Sequence, residues 1–173
     1  FDDSSLLAQA IRQTAECQHR DGAIPLACPL GDGAPVSDYA FLWVFSILDH
    51  YAFSDDSGPL RRSYPNVRRL MEWFGRWAGE DGLLSNVPGR LYIDAADMEK
   101  RGTVTALNCL YYQGLRVAGV IASIAGMQHE AEDMTAAAGK LRIAINKHLY
   151  SPARGLYADS RVDGKLVEKY SRQ

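Results

Sequence analysis

The sequence predicts an all-α fold: a partial α/α toroid of helical hairpins, with long loops on one rim and a short extended C-terminal segment. Three observations carry this. Helices apolar on one face alternate with helices apolar almost all round. Long connections alternate with short ones. A glycine turn recurs after each amphipathic helix, as Asp21-Gly22-Ala23-Ile24, Asp81-Gly82-Leu83-Leu84 and Arg154-Gly155-Leu156-Tyr157.

The first helix is expected from about Asp3 to Arg20. Leu7, Ile11, Thr14 and Ala15 recur at helical spacing, opposite Arg12, Gln13, Glu16 and Arg20. Asp2, Asp3 or Ser4 suits its start and Gly22 its end. A Pro- and Gly-rich segment, Asp21 to Val36, leads to a second helix from about Ser37 to Phe53. From Tyr39 to Leu48 that helix has almost no polar face, so burial on all sides is expected.

After a short connection, Ser54 to Gly58, a third helical region carries Val67, Leu70, Met71, Phe74, Trp77 and Ala78 on one face. Pro65 either opens this helix or kinks one begun at Pro59. Trp43, Trp73 and Trp77 read as core or inter-helix packing. A second long segment, Glu80 to Gly102, precedes a fourth helix from about Thr103 to Ala125, again apolar on both faces. Gly126 makes a tight turn into a fifth helix, Gln128 to His148, with an Ala131, Met134, Ala138, Leu141, Ile145 stripe. The tail from Leu149 reads as extended, with Asp163-Gly164 as a hairpin turn.

Hairpins recurring about every 60 to 75 residues form an inner and an outer layer. Closing a ring of roughly six would take about twice this length. An open part of such a ring should expose apolar inner-helix surface. The chain starts at Phe1 with neither Met nor a basic leader, as expected of a piece of a longer protein. Every long loop runs from an outer helix into the N-terminus of an inner one, so the loops should share one rim, where inner-helix dipoles point positive charge.

The totals narrow the function classes. A net charge of -2 argues against a nucleic-acid partner. No stretch reaches the roughly 18 apolar residues of a membrane span. Cys17, Cys28 and Cys109 lack CxxC spacing and read as small buried hydrophobes, which leans toward a reducing, cytoplasmic setting. His19, His50, His129 and His148 show no metal-ligand spacing and read as surface or helix-end residues. No metal site is expected.

Chemistry concentrates on the expected rim. Asp38 stands at the entrance of the second helix; Asp94, Asp97 and Glu99, then Lys100 and Arg101, stand before the fourth. Carboxylates facing across a cleft suit glycosidic-bond chemistry, others accept hydrogen bonds from sugar hydroxyls, and Tyr39 or Tyr92 can stack on a ring. The plainer readings are an N-cap at Ser37 or Asp38 and a solvated charged turn from Asp94 to Arg101.

Asp38-Tyr39-Ala40-Phe41-Leu42-Trp43-Val44 followed by His50-Tyr51-Ala52-Phe53-Ser54-Asp55-Asp56 resembles the bacterial α-L-rhamnosidases of glycoside hydrolase family 78. So do Tyr92-Ile93-Asp94-Ala95, Glu99-Lys100-Arg101-Gly102, Ala106-Leu107-Asn108-Cys109-Leu110-Tyr111-Tyr112 and Asp21-Gly22-Ala23-Ile24-Pro25. The resemblance implies that residues 1–173 are a fragment of a single (α/α)6-barrel catalytic domain. It implies inverting hydrolysis of terminal α-L-rhamnose without a cofactor, the general acid lying upstream of this chain and the general base downstream. The partners implied are a carbohydrate substrate and the remainder of the same catalytic domain, and the isolated chain should be inactive. Substrate binding would fall to Asp38, Tyr39, Asp94, Asp97, Glu99 and Arg101. The family's Trp after the loop Asp is Ala95 here, which leaves a related sugar or an inactive relative open.

A non-catalytic helical scaffold is the rival, and a metal-dependent toroid lacks its His/Cys cluster. Convergence of the loops before the second and fourth helices separates site from scaffold. A separation of Asp38 and Asp94 beyond about 20 Å would break the single-site reading.

Overall fold

The apolar periodicities resolve into helices close to where the spacing puts them. The computed structural model describes residues 4–29, 33–93 and 97–171. Among them the helices are α1 (Ser5–Cys17), α2 (Ser37–Ser54), α3 (Ser57–Gly75), α4 (Thr105–Ala125) and α5 (Gln128–His148). Short strands β1 (Thr103–Val104), β2 (Tyr150–Ser151), β3 (Leu156–Tyr157), β4 (Ser160–Val162) and β5 (Lys165–Leu166) complete the described elements. No helix is long and apolar enough among the described residues to cross a membrane.

The inner helices α2 and α4 pack on each other. On the outside, α1 lies against α2 and α3, α3 against α2 and α4, and α5 against α4. This is the two-layer alternation of hairpins. At the junction of α2, α3 and α4, Phe41 stacks on Phe74 with centroids 4.4 Å apart, and Tyr111 tilts against both. Gly114 makes room for it: a Cβ there would stand 2.6 Å from the Phe41 ring. Indole N–H groups tie the layers, Trp43 donating to the Ile11 carbonyl (3.1 Å) and Trp73 to the Asp21 carboxylate (3.2 Å).

Connections at one end are short because their caps are local. Asp55 adopts the left-handed conformation that ends α2, and the Asp56 carboxylate accepts from the Gly58 N–H at 2.8 Å to begin α3. Gly126, with φ of +87°, ends α4 in the same way.

The Asp-Gly echo is a structural repeat. Asp21 Oδ1 accepts the Ala23 N–H and Asp81 Oδ1 accepts the Leu83 N–H, each at 3.1 Å. The intervening Gly22 and Gly82 both have positive φ. In each case an Asx turn closes the exit from an outer helix. At Gly22 only glycine fits, since a Cβ would meet the Arg69 carbonyl oxygen at 2.5 Å.

Several expectations are corrected. α1 stops at Cys17, because Gln18 turns extended and its side-chain amide donates to the Gly22 and Asn66 carbonyls. Of its stripe only Ile11 is buried; Leu6 and Leu7 are exposed. Ser4 makes no side-chain cap bond, and Asp2 and Asp3 lie outside the described residues. Neither Ser37 nor Asp38 caps α2: Val36 holds that place, and both side chains bond to a different loop. α2 is not buried on every side, for Tyr39, Leu42 and Phe53 are exposed.

α3 is continuous from Ser57, with Pro59 in its first turn and Pro65 inside it. Thr103 and Val104 pair as strand rather than helix, because Ser160 and Arg161 offer them a ladder. His50 stands near the end of α2, one of its two expected placings, but is buried there rather than at the surface, with its ring 3.3 Å from the Ser54 hydroxyl. The cysteines are not fully buried either: Cys17 and Cys28 are intermediate and Cys109 is exposed. The Asp163-Gly164 hairpin forms as expected, both residues taking positive φ between β4 and β5.

Candidate functional site

The loop before α4 folds back across the N-terminus of α2. The Arg90 N–H donates to the Pro35 carbonyl (2.8 Å), the Ser37 N–H donates to the Arg90 carbonyl (3.0 Å), and the Ser37 hydroxyl donates to the Pro88 carbonyl (3.1 Å). The two long loops therefore converge, as a single site requires and a scaffold does not.

Asp38 sits in the first turn of α2 and is buried. Its Oδ1 accepts the Tyr92 N–H at 3.1 Å and its Oδ2 accepts the Ile93 N–H at 2.7 Å. Ile93 has φ of +42°, a conformation β-branched residues avoid. Local strain of this kind survives only where surrounding bonds impose it, and it concentrates at functional sites.

Above Asp38 the exposed rings of Tyr39 and Tyr92 meet edge to face, centroids 5.6 Å apart. With Leu26, Val36, Arg90 and Leu91 they line a cavity of 360 Å³. Larger hollows lie elsewhere, one between α1 and α3 and one bounded by Asp81, Asn86, Arg101 and Arg161. Neither has a pair of exposed aromatic rings beside a strained loop, so size alone does not select the site.

The far end of the same loop carries the charges. Asp97 bonds the Lys169 ammonium at 2.7 Å. Glu99 takes the Arg101 guanidinium through both oxygens, at 2.9 and 2.8 Å, and also accepts the Arg101 N–H. The Lys100 ammonium reaches back to the Tyr92 carbonyl at 2.7 Å. The Lys169 hydrogen bond and charge hold Asp97 below the usual carboxylate range. The Arg101 guanidinium holds Glu99 at about 2. Both are fixed anions at neutral pH, suited to accept hydrogen bonds; a general acid needs its pKa raised toward the working pH.

The residues singled out from the sequence thus fall in two groups on one loop system. Asp38 and Tyr39 stand at one end, Asp97, Glu99 and Arg101 at the other, with Glu99 and Arg101 bonded to each other. Asp94 and Ala95 lie outside the described residues. Sequence reasoning missed Asp159, buried, which accepts from the Glu99 N–H (3.1 Å) and the Ser171 N–H (2.7 Å). It also missed Lys169. Neither stands in a motif, so no signal could have found them. Among the described residues no group of three His, Cys, Asp or Glu is placed to hold a metal ion.

Comparison with known proteins agrees with this architecture. The family model for the bacterial alpha-L-rhamnosidase 6 hairpin glycosidase domain matches residues 1–167. No curated protein matches the chain in sequence. The chain is similar in structure to a GH78 family rhamnosidase of Bacillus sp. GL1, with a TM-score of 0.90 and 21% identity over 98% of this chain and 18% of that one. A rhamnosidase from Klebsiella oxytoca with rhamnose bound matches at a TM-score of 0.78 and 19% identity, over 94% of this chain and 32% of that one. An alpha-L-rhamnosidase from Dictyoglumus thermophilum matches at a TM-score of 0.70 and 14% identity, over 89% of this chain and 18% of that one. The chain therefore spans a third or less of each of these proteins, and at such identities the likeness is one of fold.

Proposed function

This chain belongs to the bacterial α-L-rhamnosidase six-hairpin glycosidase family, and from that premise we propose that it is part of a glycoside hydrolase that cleaves terminal α-L-rhamnose, or a related sugar, by acid/base hydrolysis. The observation that carries the reading is the convergence of the loop before α4 on the N-terminus of α2, through the Asp38 carboxylate.

In this reading the chain supplies one wall of the sugar site and other parts of the domain supply the acid and the base. Tyr39 and Tyr92 offer ring faces to a pyranose. Asp94, Asp97, Glu99 and Arg101 supply hydrogen-bonding groups, and Asp38 supports the loop from below. The lowered pKa of Asp97 and of Glu99 supports an acceptor role. The exposed Leu42 and Phe53 on α2 are where further hairpins of the domain would pack. The chain alone is then inactive.

Hydrolysis of a panel of aryl glycosides, α-L-rhamnoside included, by the full-length protein tests the reading. Cleavage of the rhamnoside that is lost in Asp94→Asn is the expected result. Failure to cleave any member by a folded protein overturns it, and Ala95, where the family has Trp, is then the position to revert.

A further inference from the structure

Two buried carboxylates outside any catalytic pair grip the same loop at its two ends. Asp38 belongs to the first turn of α2 and takes the Tyr92 and Ile93 N–H groups. Asp159 takes the Glu99 N–H with Oδ2 and the Ser171 N–H with Oδ1, and the Ser171 hydroxyl also donates to it at 3.0 Å. Both side chains are almost fully buried, at 4% exposure each. Among the described residues neither forms an ion pair.

A buried carboxylate without a cation is costly unless main-chain N–H groups and helix dipoles carry its charge. Main-chain N–H groups serve both carboxylates here, and a helix dipole serves Asp38 as well. Asp38 stands in the positive first turn of α2. Asp159 is anchored to the start of α4, where the Thr105 N–H donates to its carbonyl at 2.9 Å and the Thr105 hydroxyl donates to the Ala158 carbonyl at 2.6 Å. The N-terminus of each inner helix thus carries, directly or through one backbone bond, a carboxylate aimed at the loop that bears Tyr92, Asp97, Glu99 and Arg101.

We infer that Asp38 and Asp159 are positioning residues: they fix the Tyr92 and Glu99 ends of this loop in register, and so set the spacing between its aromatic face and its charged face. The ligand consequence rests on the glycosidase reading above; the grip itself does not. Each carboxylate is buried and each of its oxygens already takes an amide N–H, so each acts on the ligand through the backbone. The spacing is a property of both inner helices together, since each holds one end.

The test uses the full-length protein and the isosteric variants Asp38→Asn and Asp159→Asn, alone and combined. Asn keeps one acceptor and turns its NH₂ toward the second amide donor, so half of each grip is lost. Hydrogen exchange at 92 and 93, or at 99 and 171, should quicken about tenfold or more, with the interior of α4 unchanged. KM for an aryl rhamnoside should rise about tenfold in either single variant while kcat falls much less. The double variant should be only slightly worse than either, because one loose end already spoils the spacing.

Faster exchange with an unaltered KM would make the bonds merely structural and overturn the inference, as would unaltered exchange. Asp159→Glu, which keeps the charge but lengthens the arm, covers the case in which an Asn variant fails to fold. It should raise KM too, and a wild-type KM there counts against the inference. If the wild type cleaves no aryl glycoside, the glycosidase reading falls, and exchange at these amides still decides the grip.

Discussion

Asn108 and Leu84 are joined through both faces of one amide. Asn108 Oδ1 accepts the Leu84 N–H at 2.8 Å and its Nδ2 donates to the Leu84 carbonyl at 3.0 Å, with a further bond to the Val104 carbonyl at 2.9 Å. The side chain is wholly buried. It pairs the Leu84 backbone groups that the single Ala78–Leu84 bridge leaves open, and thereby ties the start of the long loop to the first turn of α4. Asn108→Ala leaves the Leu84 N–H and carbonyl buried and unpaired, and should cost about 3 kcal/mol or more. The denaturation midpoint of the full-length protein checks this; an unchanged midpoint would mean water replaces the amide.

Gly114 and Phe41 set the separation of α2 and α4. Gly114→Ala pushes a methyl into a ring that is wholly buried and stacked. A loss of about 1–3 kcal/mol is expected, and Phe41→Leu in the same chain should return part of it. Thermal melting of the two single variants and the pair measures the coupling.

The docking of the β4–β5 hairpin should be acid-sensitive. Burial raises the Asp81 carboxyl, but the Arg161 guanidinium, the Leu83 N–H and His148 outweigh it and hold it below its ordinary 3.8. A depressed folded pKa means the stabilisation is complete above the unfolded value, about 3.9, and drains away as pH falls through and below it. Hydrogen exchange of residues 160–166 compared at pH 6 and below 4 should show the loss, and Asp81→Asn should flatten the profile.

Much of this fold was legible. Helical spacing placed α2 and α5 almost to the residue, and the alternation of loop lengths gave the two layers. The rest depended on partners distant in sequence. Thr103 and Val104 read as helix because β4 lies about sixty residues on. Asp38 read either as a substrate-binding acid or as a cap, the latter because the first turn of a helix is where caps stand; its carboxylate in fact leaves the helix for Tyr92 and Ile93. Asp159 had no local pattern at all, since its role comes from Glu99 and Ser171 arriving beside it.

Tyr39→Ala and Tyr92→Ala should each raise KM for the aryl rhamnoside several-fold, consistent with roughly 1 kcal/mol for an aromatic contact. The pair should be less than additive, because the rings pack on each other. Steady-state kinetics on the full-length protein decide it; additive losses would mean that the rings act apart.

Cys28 should be a poor nucleophile. Burial, then the neighbouring Cys17 thiol, push it up to about 11. Alkylation at pH 7.5 should run about a hundredfold slower than for an ordinary cysteine, which mass spectrometry of iodoacetamide-treated protein will show.

The repeated Asp-Gly turns carry a direction. Asp21 and Asp81 each give one oxygen to their own turn and the other to something made later: the indole of Trp73, the guanidinium of Arg161. Each turn is therefore complete only with a partner supplied from further along the chain, so a chain cut short before Trp73 or before Arg161 keeps the matching turn and loses its second anchor.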